Sequence, residues 1–547
     1  MKKLATLLLA AGMVLGSFAG AQAIDWKVRG QWAMEFGLFE GVGFMKSKTR
    51  ANHKNRYGDG ASENASSDNF KVGQRVNLWI DAIASENLSG SLFLEIGGNQ
   101  WGRAGTLGDR SYNGALGQRG VGIAMRHAYI DWFVPNTDLR VRMGLQGITL
   151  PSFTFGTGVF GDDVAAINLS YKFNNNVSMT FFWMRPYNDN YVARTDTDAN
   201  FAADRRNFGE TNSLDNVDMF GLLVPLSFDG FKVTPWTMMG AIGPNTWRNW
   251  PAATGTVNAA QQYVRRGITP AIWSTNNGLA ANGHHSKQYA FAWWAGLTGE
   301  ITAADPFRFA WDFNYGSVNY YDAPYAKRQG WYFNVLAEYK LDWGVPGLYF
   351  WWGSGDDSSA KNGSERMPVL AVNTPANNLS SFGFNGVWQN TAIGNNGVLG
   401  QQFHAGSWGI GTRIRDMSFI EGLSHTFRVN FFGGTNAPGM AKQILGKKQV
   451  GGNNGVWAAG SEFNQAGGGG AANSVYLTTL DYGIEVNLDT TYKIYKNLEL
   501  IVELGYIHLW LDQSKNMWGN GKDKYPGFRG VSVTDALKAS AIFRYSF

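Results

Sequence analysis

Residues 537–547 alternate apolar and polar side chains with a period of two. Leu537, Ala539, Ala541, Phe543, Tyr545 and Phe547 form one set, and Lys538, Ser540, Arg544 and Ser546 fall in the other, with only Ile542 out of pattern. Successive side chains of a strand leave on opposite faces, so this segment has one apolar wall and one charged wall. The chain is 44% hydrophobic, and six apolar residues on one parity arise by chance in roughly one per cent of windows. About ten residues of such alternation cross a bilayer as a tilted strand. In hydrocarbon every backbone polar group needs an internal partner, so strands that span do so as a closed barrel.

The opposite end agrees. Met1-Lys2-Lys3 is followed by an apolar run from Leu4 to Gly20 and by Ala21-Gln22-Ala23, the pattern of a cleaved export signal over residues 1–23. The mature chain is then expected to begin at Ile24 as one barrel over 24–547, and loss of Lys2 and Lys3 lowers the formal charge from +5 to +3. Near-neutral charge argues against a nucleic-acid partner. Seventy Gly, 22 Trp, 22 Tyr and 35 Phe accompany only 16% charged residues, against a usual share of about 25%. Glycine with aromatics suits short-turned strands and membrane–water boundaries. The sequence has no Cys, which excludes a disulfide framework, and no apolar run of about eighteen residues follows the signal.

From Ile24 the alternation recurs. Trp26, Val28, Trp32, Met34 and Phe36 oppose Lys27, Arg29, Gln31 and Glu35; Val76, Leu78, Ile80 and Ala82 oppose Arg75, Asn77, Trp79 and Asp81. Short turns are expected at 85–87, 135–138, 174–176, 229–230, 303–306, 342–346, 416–424 and 495–497. Long connections alternate with them near 46–68, 98–119, 188–216, 243–287, 355–403, 436–479 and 512–530, with a shorter one at 319–329. This asymmetry predicts an all-β transmembrane antiparallel barrel of about 18 strands, 16 being the alternative, with short periplasmic turns and long external loops.

Parity assigns the inner wall. Arg140, Arg142 and Gln146 turn inward opposite Leu139, Val141, Met143 and Leu145, and the same rule points Arg308, Asp312, Arg413, Arg415, Arg428, Glu485, Asp489, Glu499, Glu503, Lys538 and Arg544 into the lumen. A charge on the lipid face costs about 2–4 kcal/mol at mid-membrane, so these groups call for water inside. Arg126 breaks parity, falling with Ala128, Ile130 and Trp132; it sits above the bilayer or is paired at a subunit contact. The segment 147–163 is too apolar for a solvated loop yet interrupted by Pro151 and several glycines. It either buries itself in the barrel interior or serves as an external or trimer-contact loop.

With Leu150-Pro151-x-Phe153 and Phe160-Gly161-Asp162-Asp163 the chain resembles general bacterial porins, whose third external loop folds inward and narrows the channel. On that resemblance Asp162 and Asp163 form the acidic side of a constriction, and Arg75, Arg140 and Arg142 part of its basic side. The opening strand Ile24–Gly30 and the aromatic end Phe547 extend the resemblance over the mature chain, which is most similar to the homotrimeric porins of sulfate-reducing bacteria. The resemblance implies a homotrimer in the outer membrane among lipid and lipopolysaccharide, assembly through the C-terminal strand by the barrel-assembly machinery, with Phe547 as its signal, and passive passage of small hydrophilic solutes. No cofactor is implied.

Three other functions compete. An enzyme needs a nucleophile or water-activating set, and the seven His (53, 127, 284, 285, 404, 425 and 508) show no paired base or metal spacing. The run Asp356-Asp357-Ser358 to Asn362-Gly363 departs from the spacing of a calcium-binding loop. A substrate-specific channel for sugars or anions would use inward aromatics such as Trp79, Tyr129 and Trp294. A non-conducting anchor or adhesin would need a filled barrel, which the inward charges disfavour.

Overall fold

A computed structural model describes residues 24–40, 45–47, 69–102, 115, 122–188, 216–244, 267–268, 270, 288–359, 361–372, 379–381, 406–441, 477–512, 531–533 and 535–547. The expected signal over 1–23, and His53, His284, His285 and His404, lie outside these residues.

Eighteen strands follow one another around a closed sheet. They are β1 (Asp25–Glu40), β2 (Asn69–Ser85), β3 (Leu88–Gln100), β4 (Ile123–Phe133), β5 (Leu139–Thr149), β6 (Phe160–Lys172) and β7 (Ser178–Asn188). Next come β8 (Asn216–Leu223, resumed at Leu226–Phe228), β9 (Phe231–Ile242), β10 (Ala290–Ile301), β11 (Phe307–Asn319), β12 (Arg328–Tyr339) and β13 (Val345–Gly353). The last five are β14 (Ser407–Ile420), β15 (Leu423–Gly434), β16 (Tyr482–Tyr495), β17 (Leu498–Trp510) and β18 (Ala536–Ser546). Every sequential pair is antiparallel, and β18 returns to β1 in the register Gln31↔Ser546 to Glu40↔Leu537. Closure leaves no free edge, which is what a hydrocarbon surrounding demands. Among the described residues no helix is long and apolar enough to cross a membrane.

The eight short connections expected from sequence fall where turn residues cluster. The seventh is tighter than the sequence suggests: β14 continues to Ile420 and only Glu421-Gly422 turns. Asp416, at φ 57°, absorbs a register irregularity between Ile414 and Met417, so the strand bends rather than stops. At the seam Phe547 exchanges backbone hydrogen bonds with Gly30, its carbonyl accepting from Gly30 at 2.8 Å. The Phe547 ring lies where a Cβ on residue 30 would be, so glycine lets the closing aromatic lie flat on β1.

Alternation sorts the two wall faces. Trp26, Val28, Met125, Phe220, Leu348 and Ile410 stand exposed on the outside, as a lipid-facing wall requires. At the turn end Phe133, Phe173, Phe228, Tyr339, Phe419 and Tyr495 are exposed, in keeping with an aromatic belt at a membrane–water boundary.

Candidate permeation path

A barrel of eighteen strands is too wide for its own inward side chains to fill. Among the described residues, segments of the third and seventh loops enter it, and Gly267-Ile268 of the connection between β9 and β10 join them. The third loop, 150–159, leaves β5 and crosses the lumen to the opposite wall. Pro151 cannot extend a sheet ladder, and the residues after it find partners on β10, β11 and β12. The Phe153 amide donates to Thr298 Oγ1 (3.0 Å) and to Asp312 Oδ1 (3.1 Å), and the Ser152 hydroxyl donates to Asp312 at 2.5 Å. Thr154 also donates to Asp312. Arg308 donates to the Phe153 carbonyl at 2.7 Å, and Asn334 donates to Thr154 Oγ1 at 2.5 Å. Phe155 meets Tyr349 edge-on at 4.9 Å, with the Arg413 guanidinium 5.6 Å above its ring. Apolar residues in a loop have to leave water, and the interior is where these go.

The described parts of the seventh loop at 366–372 and 379–381 also enter. Arg328 donates to the carbonyls of Arg366 and Met367, and the Trp294 indole donates to the Pro368 carbonyl at 2.8 Å. Leu370 donates to the Val159 carbonyl, and Ala371–Val372 pair in parallel with Phe160–Gly161 of β6. Further on, Ser380 donates to Glu485 at 2.6 Å, Ser381 donates to Asp489 at 2.5 Å, and Lys538 donates to the Ser381 carbonyl. The run Met367-Pro368-Val369-Leu370 carries the same apolar loop signal as 147–163, and reading it that way identifies this second inward segment from sequence.

Together with Ile268 from the connection between β9 and β10, these loop segments build an apolar core inside the barrel. Phe155, Val159, Phe160, Phe182, Met184, Met219, Met238, Ile268, Trp294 and Leu370 are all buried in one cluster. The inward charges of β11 to β18 keep their expected direction but change their surroundings. Asp312, Arg413, Arg428, Glu485, Asp489, Glu503 and Lys538 are buried. They anchor loops instead of lining open water, because a loop backbone brought indoors needs donors and acceptors. Arg413 and Arg415 both reach Glu338 at 2.8 Å, and Arg308 reaches it at 2.9 Å. Three guanidiniums converge on this one carboxylate, and one of them, Arg308, also holds the Phe153 carbonyl of the third loop. Arg308 and Arg415 also line a cup of about 510 Å³ at the turn end, with Lys340, Asp342 and Asp416.

The half-open side of the lumen runs along β1 to β6 and across the seam to β17. Lys27 stands opposite Asp81 in the register, Arg29 is 3.8 Å from Asp81, and Arg544 meets Glu499 at 3.0 Å. On this wall a row of rings crosses three strands: Trp79 stacks on Phe93 at 4.4 Å, Phe93 meets His127 at 5.1 Å, and His127 meets Tyr129 at 6.2 Å. Three rings carry a guanidinium: Arg29 over Trp79 (5.9 Å), Arg126 over Phe93 (5.0 Å) and Arg142 over Tyr129 (3.9 Å). Trp79 and Tyr129 thus share this wall, whereas Trp294 is buried in the filled half.

The five residues expected at a constriction are placed in two groups. Arg75 lies 3.6 Å from Glu95, which also faces Arg126 at 3.5 Å. Arg126 then reaches Asp163 at 2.6 Å, and His127 reaches the same carboxylate at 2.8 Å. Asp162 accepts a bond from the Asp163 amide. Arg140 and Arg142 pair with Asp131 instead, at 3.6 and 2.6 Å. Arg142 is in register with Asn168, five residues along β6 from Asp163, which is roughly 17 Å of strand. The acids therefore face Arg126 and His127, and the other two arginines sit nearer the turn end. Arg126 lies at the loop end of β4 and is paired within the chain, to Glu95 and Asp163. A register shift between Phe93 and Leu94 inserts Arg126 as an extra residue beside His127, and β4 pairs with β5 only as far as Ala128↔Leu145. A bulge re-aims a side chain without any mark in the sequence pattern.

Among the described residues no group of three His, Asp or Glu is arranged to hold a metal. The oxygens of the 356–365 turn are used internally: Asp357 accepts from the Ser359 amide and from Asn362, and Glu365 from Asn362 and the Asp357 amide. Burial, opposed by the Asp357 amide and reinforced by the charges of Asp357 and Asp356, holds the Glu365 carboxyl above its ordinary range.

No family model matches this sequence, and no curated protein matches it. Solved structures similar along the whole chain include OprD of Pseudomonas aeruginosa (10% identity, TM-score 0.44, 97% of each chain) and OpdL of the same organism (10%, TM-score 0.46, 96% of this chain and 99% of that one). OccAB3 of Acinetobacter baumannii is another (9%, TM-score 0.44, 95% and 99%). The barrel assignment rests on its own register and closure.

Proposed function

We propose that this chain is an outer-membrane porin whose water-filled path lets small hydrophilic solutes and ions diffuse passively. The observation that carries the reading is the pairing of a closed, lipid-facing wall with an inner face along β1 to β6 on which Arg29, Arg126, Arg140 and Arg142 stay partly exposed. Residues 1–23 are read as the export signal, removed before the barrel enters the membrane. The narrow part of the path is assigned to the edge of the third loop and the facing wall, with Asp162 and Asp163 beside Arg126 and Arg75. Arg140 and Arg142 then act at the periplasmic exit. Assembly as a homotrimer among lipopolysaccharide, with Phe547 read by the barrel-assembly machinery, follows the likeness to the porins of sulfate-reducing bacteria. The reading assigns no catalytic step and no cofactor.

A substrate-specific channel is the second reading, and the inward loops favour it, since they leave solutes one side of the lumen. Sugars are the weaker class here. The faces of Trp79, Phe93 and Tyr129 lie under guanidiniums, so the row does not offer the bare ring surface on which sugars slide. Single-channel recording in planar bilayers tests both readings. Ohmic current unaffected by added solutes supports the diffusion pore, and saturable block by one anion supports the specific channel. A purified, folded barrel that passes no current sinks both.

A further inference from the structure

The bulge between Phe93 and Leu94 turns two consecutive side chains of β4, Arg126 and His127, toward one carboxylate. Arg126 donates to Asp163 Oδ2 at 2.6 Å, and the imidazole Nε2 meets Oδ1 at 2.8 Å. To get there His127 reaches across β5 at Gly147, whose register partner on β6 is Asp163. A Cβ at residue 147 would lie 3.3 Å from Nε2, tighter than most carbon contacts, so glycine leaves the ring its way across. On the other side the Phe93 ring packs edge-on against the imidazole at 5.1 Å. His127 is thus held at the part of the path assigned as narrow, with 21% of its side chain still exposed.

Charged groups surround it on every side. Asp162 and Asp163 face it from β6, Glu95 from β3, and Arg126 and Tyr129 share its own strand. Arg75 on β2 stands behind Glu95, with Glu35 and Arg544 beyond it. An ionised carboxylate only accepts hydrogen bonds, so Nε2 carries a hydrogen whether the ring is neutral or charged, and the added proton goes to Nδ1. Nδ1 makes no hydrogen bond among the described residues. Selectivity is set by the few charges at the narrowest point of a pore. Resting on the porin reading above, we propose that His127 is a selectivity-determining residue of the path. A proton on Nδ1 adds one positive charge beside Asp163 and shifts permeation from cations toward anions.

Reversal potentials across planar bilayers in a potassium chloride gradient test this assignment. They are read at about pH 8.5 and about pH 5.5, between which an ordinary imidazole changes charge. Carboxyl groups ordinarily titrate at about 4 and stay ionised over this interval. The wild-type potential should move toward chloride as the pH falls. His127→Gln, whose amide can still donate to Asp163, should lose that movement and keep the wild-type value of the higher pH. His127→Lys, which stays charged throughout, should sit near the wild-type value of the lower pH at both. A wild-type potential that is flat with pH overturns the proposal. So does a shift that persists undiminished in His127→Gln, since it then belongs to other groups. Folded barrels that pass no current in any of the three proteins would bring down the porin reading, and this assignment with it.

Discussion

At the scale of single residues, charge does two jobs in this barrel. Arg29, Lys27 and Asp81 remain open to solvent on the inner wall, whereas Asp312 is buried and spent on anchoring. Its carboxylate collects hydroxyl donors from Ser152, Thr154 and Thr298 and the Phe153 amide. Asp312→Ala should therefore loosen the third loop by on the order of 3 kcal/mol, since hydrogen bonds to a charged group are worth more than neutral ones. The measurement is conductance: larger, noisier current is expected, and wild-type current would show that the loop is held without Asp312. Period-two alternation made the direction of Asp312 legible. Its partners, 160 positions earlier in the chain, were not, because nothing local records where a crossing loop lands. Arg126 illustrates the reverse case, where one extra residue in β4 reversed the reading of its side.

At the scale of elements, strands were far more legible than loops. Each strand carries its own pattern, and turn residues mark its ends, so the eight short connections could be placed from sequence. The apolar segment 150–159 also announced its own burial. The seventh loop enters the lumen by the same physics, yet its apolar run is shorter and set among polar residues. Its outer part offers a pH test. Folding raises the Glu365 carboxyl above its ordinary range, chiefly by burial, so the folded state favours the protonated form. For an acid raised in this way, the stabilisation is present at pH below the unfolded value and is lost as pH rises through the folded one. Glu365→Gln should therefore melt higher than wild type at neutral pH, with the difference shrinking on acidification. A Tm difference that is flat with pH would count against this account.

At the scale of the whole molecule, eighteen strands enclose more space than the path uses. The apolar core built by the third and seventh loops makes the expected conductance smaller than an empty barrel of this size would give. Selectivity then rests on the few charges that stay wet. Arg140 and Arg142 share Asp131 at the turn end, leaving an excess positive charge at the exit. Arg140→Glu with Arg142→Glu should shift the reversal potential in a salt gradient toward cations. An unchanged potential would remove both from the path. What the sequence determined by itself is the barrel: alternation, turn chemistry and the demand that every strand edge be paired are local or nearly local facts. The tertiary structure alone decided how much of the lumen is water. That depends on where loops come to rest across the barrel, and contacts over such separations are set by packing and hydrogen-bond satisfaction after closure, which leave no period in the chain.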